Sequence, residues 1–220
     1  LWAMRNKAVL HFLAMAVVLA LPALWAVAVS THLALHQEIH QWHPAWADQA
    51  MPRITEGANG WVPAVLAIAL LWHSWRAFLM MGLSTLLGSL AVQSLKHFIF
   101  PHVDRPAAFL AEMPGLHLVP GVELHSSFSF PSGHSTTAFG MCFALAVVWG
   151  KRGPAVGLAI IAAILAFSRV YLSQHFTEDA VAGAALGTFI GWLVYRRLYH
   201  GPLSLHTGLD RSPVRRYSSE

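Results

Sequence analysis

Charged residues are scarce in this chain. Only 11% of its 220 residues are Asp, Glu, Lys or Arg, against 56% hydrophobic, whereas soluble domains carry roughly 25% charged residues. That scarcity excludes an ordinary water-soluble domain and points to an integral membrane protein. Cysteine is almost missing as well. Cys142 stands alone inside an apolar run, so no intramolecular disulfide can form and the thiol reads as a small core residue. No Gly/Ser linker or compositional break separates the apolar runs, and nothing suggests a second, soluble domain. One bundle over 1–199 with a polar tail over 200–220 is the expected organisation. A compact basic patch is also lacking. The net charge of +4 comes from residues scattered between apolar runs, which argues against nucleic acid as a partner.

What is present is a series of long apolar segments. At roughly 20 residues per crossing, spans are expected over 8–29, 61–75, 77–100, 135–150, 154–172 and 180–198, an all-α bundle of six transmembrane helices. The first run lacks a small-residue cleavage site and reads as a retained span; the chain opens on Leu1, with Met4 as the candidate initiator. The second run, VPAVLAIALLW, is short, and a single helix over 61–100 would give five spans instead. Charge favours six. Arg5, Lys7, Arg76, Lys151, Arg152, Arg196, Arg197, Arg211, Arg215 and Arg216 then share one side, as the positive-inside tendency expects of the cytoplasm, and only Arg53, Lys96, Arg105 and Arg169 fall on the other. Both termini are therefore expected in the cytoplasm. Small size and short loops suggest a bacterial inner membrane, with segments 30–60 and 101–134 in the periplasm.

Trp42, Trp46 and Trp61 near one interface, and Trp72, Trp75 and Trp149 near the other, fit aromatic belts or core positions. In segment 30–60, His32, His36, His40 and His43 recur at helical spacing. Such a stripe can present two imidazoles to a metal, but an amphipathic helix at the interface, anchored by Trp42 and Trp46, is the favoured reading. Neither a metal nor another cofactor is expected. The tail is expected to be poorly ordered and weakly drawn to anionic lipid through Arg211, Arg215 and Arg216.

Three clusters fall on the same outer side, each at a span end. Lys96 closes the third span, with Arg105-Pro106 after it in LKHFIFPHVDRP; Pro131-Ser132-Gly133-His134 opens the fourth in FPSGHSTTAF; Ser168-Arg169 precedes His175 and Asp179 in SRVYLSQHFTED. Charges at a membrane edge are costly enough to suggest function. Lys96, Arg105 and Arg169 suit a tetrahedral oxyanion, which Arg grips through paired donors and Lys meets as a compact charge. Ser132 adds a hydroxyl, and Gly133 and His134 offer backbone N–H groups where a helix begins. His175 and Asp179 are four residues apart, so on a helix the carboxylate can hold one imidazole nitrogen and leave the other free to attack. His134, from another span, is available to protonate a leaving oxygen. Any one cluster has a bland explanation as a turn, an interfacial histidine or a helix-start contact; all three in order on one side do not.

At these residues the chain resembles the type 2 phosphatidic acid phosphatase family, whose pattern is Lys-x6-Arg-Pro, then Pro-Ser-Gly-His, then Ser-Arg-x5-His-x3-Asp. The second and third motifs match without change of spacing, while eight residues separate Lys96 from Arg105. The resemblance implies that His175 attacks phosphorus to form a phosphohistidine and that Asp179 orients it. It implies further that His134 protonates the leaving group and then activates water, and that Lys96, Arg105, Ser132, Gly133 and Arg169 hold the phosphoryl oxygens without a metal. The expected substrate is a lipid phosphate: phosphatidic acid, phosphatidylglycerol phosphate, a polyprenyl diphosphate or a lipid A phosphate. A phosphotransferase on the same scaffold and a non-enzymatic anion or lipid transporter remain as alternatives. The related vanadate-dependent haloperoxidases are disfavoured by the six apolar spans.

Overall fold

The computed structural model describes residues 2–214 and contains helices and turns, with no strand among the described residues. Helix α1 covers Trp2–Val29; two shorter helices, α2 (His32–Ile39) and α3 (Ala45–Glu56), cross the segment after it. Then follow α4 (Trp61–Leu70), α5 (Trp75–Ser94), α6 (Gly133–Trp149), α7 (Arg152–Tyr171) and α8 (Thr177–Tyr195). Helices α1, α4, α5, α6, α7 and α8 correspond to the six expected spans. The single-helix alternative over 61–100 is excluded by a break: Ser74 is extended, at φ −172° and ψ 160°, and its hydroxyl caps Ala77 N–H. Arg5–Val29, Trp75–Ile99 and Arg152–Tyr171 are long and apolar enough to cross a membrane, and α4 and α6 are shorter apolar helices.

Helix α6 is the axis of the bundle. Most of its side chains, including Phe143, Cys142 and Val147, are buried, as expected of a helix apolar on every face and surrounded by others. Around it, Leu10, Val17 and Trp25 of α1, Leu86 and Leu90 of α5, Ile161 and Ile164 of α7 and Phe189 of α8 point outward, an apolar exterior that only a bilayer accommodates. Trp42, Trp46, Trp61, Trp72, Trp75 and Trp149 are all exposed, which favours interfacial belts over core positions.

Helix α4 has ten residues, so it rises about 15 Å, half of the roughly 30 Å hydrocarbon thickness. The preceding 57–60 turn packs on α7 through Gly57, where a Cβ would lie 3.0 Å from Leu165 Cδ2. At the opposite end the tail departs from expectation. Residues 201–214 dock on the start of α5: the Asp210 carboxylate accepts from Arg76 Nε at 2.7 Å, Arg211 O accepts from Trp75 N–H at 3.1 Å, and Ser212 Oγ donates to Leu71 O at 2.9 Å. Arg76 is buried and also donates to Leu203 O and His206 O, so an otherwise costly buried charge is satisfied by ordering the tail. Arg215 and Arg216 lie outside the described residues.

Candidate active site

The three clusters meet at one end of the bundle. Ser132 caps α6, its Oγ accepting from Ser135 N–H at 3.3 Å, and its own N–H donates to Asp179 O at 3.0 Å, which ties the starts of α6 and α8 together. Gly133 and His134 occupy the first turn of α6, whose amides have no intrahelical acceptor. A Cβ on Gly133 would make only an ordinary contact, 3.7 Å from Val92 Cγ1, so packing does not require glycine there.

His175 and Asp179 are each 1% exposed. Asp179 Oδ2 collects three donors: Ser129 Oγ at 2.5 Å, Phe176 N–H at 3.0 Å and His175 Nδ1 at 3.4 Å. One carboxylate thus holds the N–H of Phe176, the N-cap residue just before α8, and orients the imidazole. Burial, followed by the charges of Arg105, Lys96 and Arg169, pushes the His175 pKa well below the usual imidazole value, so the ring is neutral and Nε2 keeps its lone pair.

The cations are linked through shared acceptors. Lys96 Nζ donates to Phe128 O at 2.7 Å, and Arg105 Nη2 reaches the same carbonyl at 3.5 Å. Arg105 Nη1 and Arg169 Nη2 share Gln174 Oε1, at 3.4 and 3.3 Å, and Arg169 Nη1 donates to Thr55 Oγ1 at 3.0 Å. Arg105 Nε donates to Ser127 O at 2.8 Å, whereas Arg169 Nε is buried without an acceptor. Such a set of donors favours an oxyanion. Burial lowers the Arg105 pKa from its ordinary value, with Asp179 opposing; desolvation of this kind raises the worth of an incoming negative charge. Lys96 joins the group despite its longer spacing, because the chain leaves α5 through a wide π turn at Leu95–Ile99, which takes up extra residues. All eight residues singled out in the sequence therefore stand at one end of the bundle.

Sequence reasoning missed Ser129, Gln174, Thr55 and Asn59. The last lies with its Oδ1 2.8 Å from His134 Nε2. It also read α2 differently. His36 and His40 are buried rather than interfacial, and among the described residues no group of three or more His, Cys, Asp or Glu is placed to hold a metal ion. Their rings back the loop between α7 and α8 instead. His40 Nδ1 lies 2.8 Å from His36 O, its Nε2 lies 3.0 Å from both Tyr171 O and Ser173 Oγ, and His36 Nε2 lies 3.1 Å from Ser173 Oγ. Ser173 needs that support, since it holds φ +51°, a strained region for a residue with a Cβ. Burial lowers both pKa values, that of His36 to about 3, while the His36 and Tyr171 carbonyls facing the His40 ring oppose the shift there. Because the folded value lies below the unfolded 6.5, the contribution to stability is complete above pH 6.5 and is lost as pH falls toward 3. The melting temperature should therefore drop on acidification through that window, and His36→Gln should flatten the dependence. Parallel melting curves for the two proteins would refute this account.

An all-helical bundle with an oxyanion site at its helix ends is the architecture of a membrane phosphatase. The chain belongs to the PAP2 superfamily, whose family model matches residues 73–200. It is 33% identical over 158 residues to a lipid A 4′-phosphatase of Bacteroides thetaiotaomicron, covering 69% of each chain. Among solved structures, that of Aquifex aeolicus LpxE matches with a TM-score of 0.65 and 25% identity, over 74% of this chain and 94% of the other. The Bacillus subtilis transmembrane PAP2 type phosphatidylglycerolphosphate phosphatase matches with a TM-score of 0.60 and 25% identity, over 86% and 93%. Like these relatives, the chain is a phosphatase.

Proposed function

We propose that the protein hydrolyses a lipid phosphate monoester or diphosphate at the periplasmic face of a bacterial inner membrane, through a phosphohistidine on His175. The observation that carries this reading is the convergence of Lys96, Arg105 and Arg169, joined by shared acceptors, around the buried His175–Asp179 pair. The cations, the Ser132 hydroxyl and the first amides of α6 hold the phosphoryl oxygens and stabilise the charge that builds on them, the role metal ions fill in other phosphoryl transfers. His175 Nε2 forms a bond to phosphorus as the P–O bond to the lipid breaks, and His134 delivers a proton to the departing oxygen. Water then attacks phosphorus, the P–N bond breaks, and the proton lost by water returns to His134.

Lipid is favoured as substrate by the site's place at helix ends and by the relatives, which are named for lipid A and phosphatidylglycerolphosphate. An apolar cleft of about 730 Å³ between α1, α7 and α8 runs from Val170 and Thr177, beside the site, down to Trp192, and can take a lipid chain. The test is phosphate release from detergent micelles of phosphatidic acid, phosphatidylglycerol phosphate, a polyprenyl diphosphate and a lipid A phosphate. Release from at least one, undiminished by EDTA, is expected. Failure on all four would overturn the reading, and loss to EDTA restored by a divalent metal would overturn the metal-free mechanism. Transfer of the phosphoryl group to an added alcohol in preference to water would favour a phosphotransferase.

A further inference from the structure

Burial first, and then the nearby charges of Arg169, Arg105 and Lys96, disfavour a second proton on the His134 ring. Its proposed task is to carry that proton to a leaving oxygen. A compensating acceptor is built in. His134 Nε2 lies 2.8 Å from Asn59 Oδ1, and the amide is oriented from its far side, where Asn59 Nδ2 donates to Glu56 Oε2. A carboxylate only accepts, so Nδ2 must face Glu56 and Oδ1 must face the ring; His134 Nε2 therefore carries hydrogen, and Nδ1 is left to exchange protons. The same turn holds Arg169 through Thr55 Oγ1 at 3.0 Å, and its backbone is closed by Asn59 N–H donating to Glu56 O at 3.1 Å.

We propose that Asn59, oriented by Glu56, is the positioning residue of His134, fixing its tautomer and stabilising its imidazolium much as Asp179 serves His175. The proposal rests on the lipid phosphatase reading above. In the first half-reaction the Nδ1 proton of the His134 imidazolium passes to the lipid oxygen as the P–O bond breaks and the bond from phosphorus to His175 Nε2 forms. In the second, a water oxygen bonds to phosphorus, the P–N bond breaks, and a water proton restores Nδ1–H. The Asn59 carbonyl holds Nε2–H throughout. This arrangement follows the general pattern in which a third group orients the base.

The discriminating experiment compares kcat/KM of the full-length protein on phosphatidic acid micelles, whose alkoxide leaving group needs a proton, and on p-nitrophenyl phosphate, whose leaving group barely does. Asn59→Ala should lose on the order of 10- to 100-fold on phosphatidic acid, within the range of acid–base catalysis, and under about 3-fold on the aryl ester. Asn59→Asp, made together with Glu56→Gln so that two carboxylates do not face each other, should retain lipid hydrolysis and move the pH–rate limb reporting His134 to higher pH. Equal losses on the two substrates, or an unmoved limb, would mean that Asn59 only closes the turn and would overturn the proposal. Should Asn59→Ala aggregate, the limb of the double variant decides alone. Wild-type protein inactive on the whole lipid panel would overturn the phosphatase reading itself; wild-type activity with equal losses overturns only the role of Asn59.

Discussion

His175→Ala is expected to lower phosphate release from lipid phosphates by on the order of 10⁴- to 10⁶-fold, the scale of removing a covalent nucleophile, or about 5–8 kcal/mol of transition-state stabilisation. The size follows from the geometry. His175 Nδ1 is committed to Asp179 and Ser129, and the ring is buried and neutral. His134 cannot substitute, since it comes from another helix and its Nε2 is bound to Asn59. Acid-labile phosphate trapped on the wild-type protein during turnover should vanish in the variant. Binding should survive, because Lys96, Arg105 and Arg169 remain, so inhibition of the wild type by inorganic phosphate and affinity of the variant for it should be similar. Retention of more than about 1% of wild-type turnover would assign the nucleophile elsewhere. Asp179→Asn should cost less than His175→Ala, because the amide oxygen can still accept from Phe176 N–H while losing the charge that steadies the imidazole.

The spans and the clusters of the candidate site were legible for different reasons. Six helices follow from apolar runs and from the sidedness of Lys151 and Arg152, which are properties of local sequence. Lys96, Arg105, His134, Arg169, His175 and Asp179 were legible because each lies beside a fixed marker such as Arg105-Pro106 or Ser168-Arg169. Ser129 and Gln174 were within reach, one three residues before Ser132 and the other next to His175, yet neither residue type signals chemistry by itself. Asn59 and Thr55 carry no signal at all. Their importance arises from contacts distant in sequence, Asn59 with His134 and Thr55 with Arg169, which no local pattern announces. The histidine stripe of α2 was seen but read at the wrong surface. Its partner, Ser173, is a contact across 137 residues for His36, and the positive φ that makes the contact necessary is a backbone property no residue letter records. Sequence also gave no warning that the tail would dock, because Arg76 looked like one more cytoplasmic charge until Asp210 was found on it.

Gly187→Ala is expected to destabilise the bundle by about 2–4 kcal/mol, despite the roughly 1 kcal/mol that alanine gains over glycine inside a helix. Gly183, Gly187 and Gly191 repeat every fourth residue on the face of α8 that meets α6, a small-residue stripe of the kind that lets membrane helices approach closely. The neighbours of the three differ, and the costs should follow. A Cβ on Gly187 would lie 2.2 Å from Thr136 O and 2.9 Å from Thr136 C, both main-chain atoms of α6, so relief requires separating two helices. At Gly191 the obstacle is Phe143 Cδ1 at 2.9 Å, part of a ring that can turn, and a milder loss is expected. Gly183 is the informative case. Its Cβ would lie 2.4 Å from Ser132 O, and Ser132 N–H is itself bonded to Asp179 O. Pushing that carbonyl away shifts the start of α6, which carries Gly133 and His134, relative to the start of α8, which carries Asp179. Gly183→Ala should therefore lose activity well beyond its loss of melting temperature, whereas Gly187→Ala and Gly191→Ala should lose the two together. Melting in detergent followed alongside kcat/KM separates these cases. An unchanged melting temperature for Gly187→Ala would show that α6 and α8 can move apart freely, and the alignment of the two histidines would then need a different support from the backbone contact that holds it here.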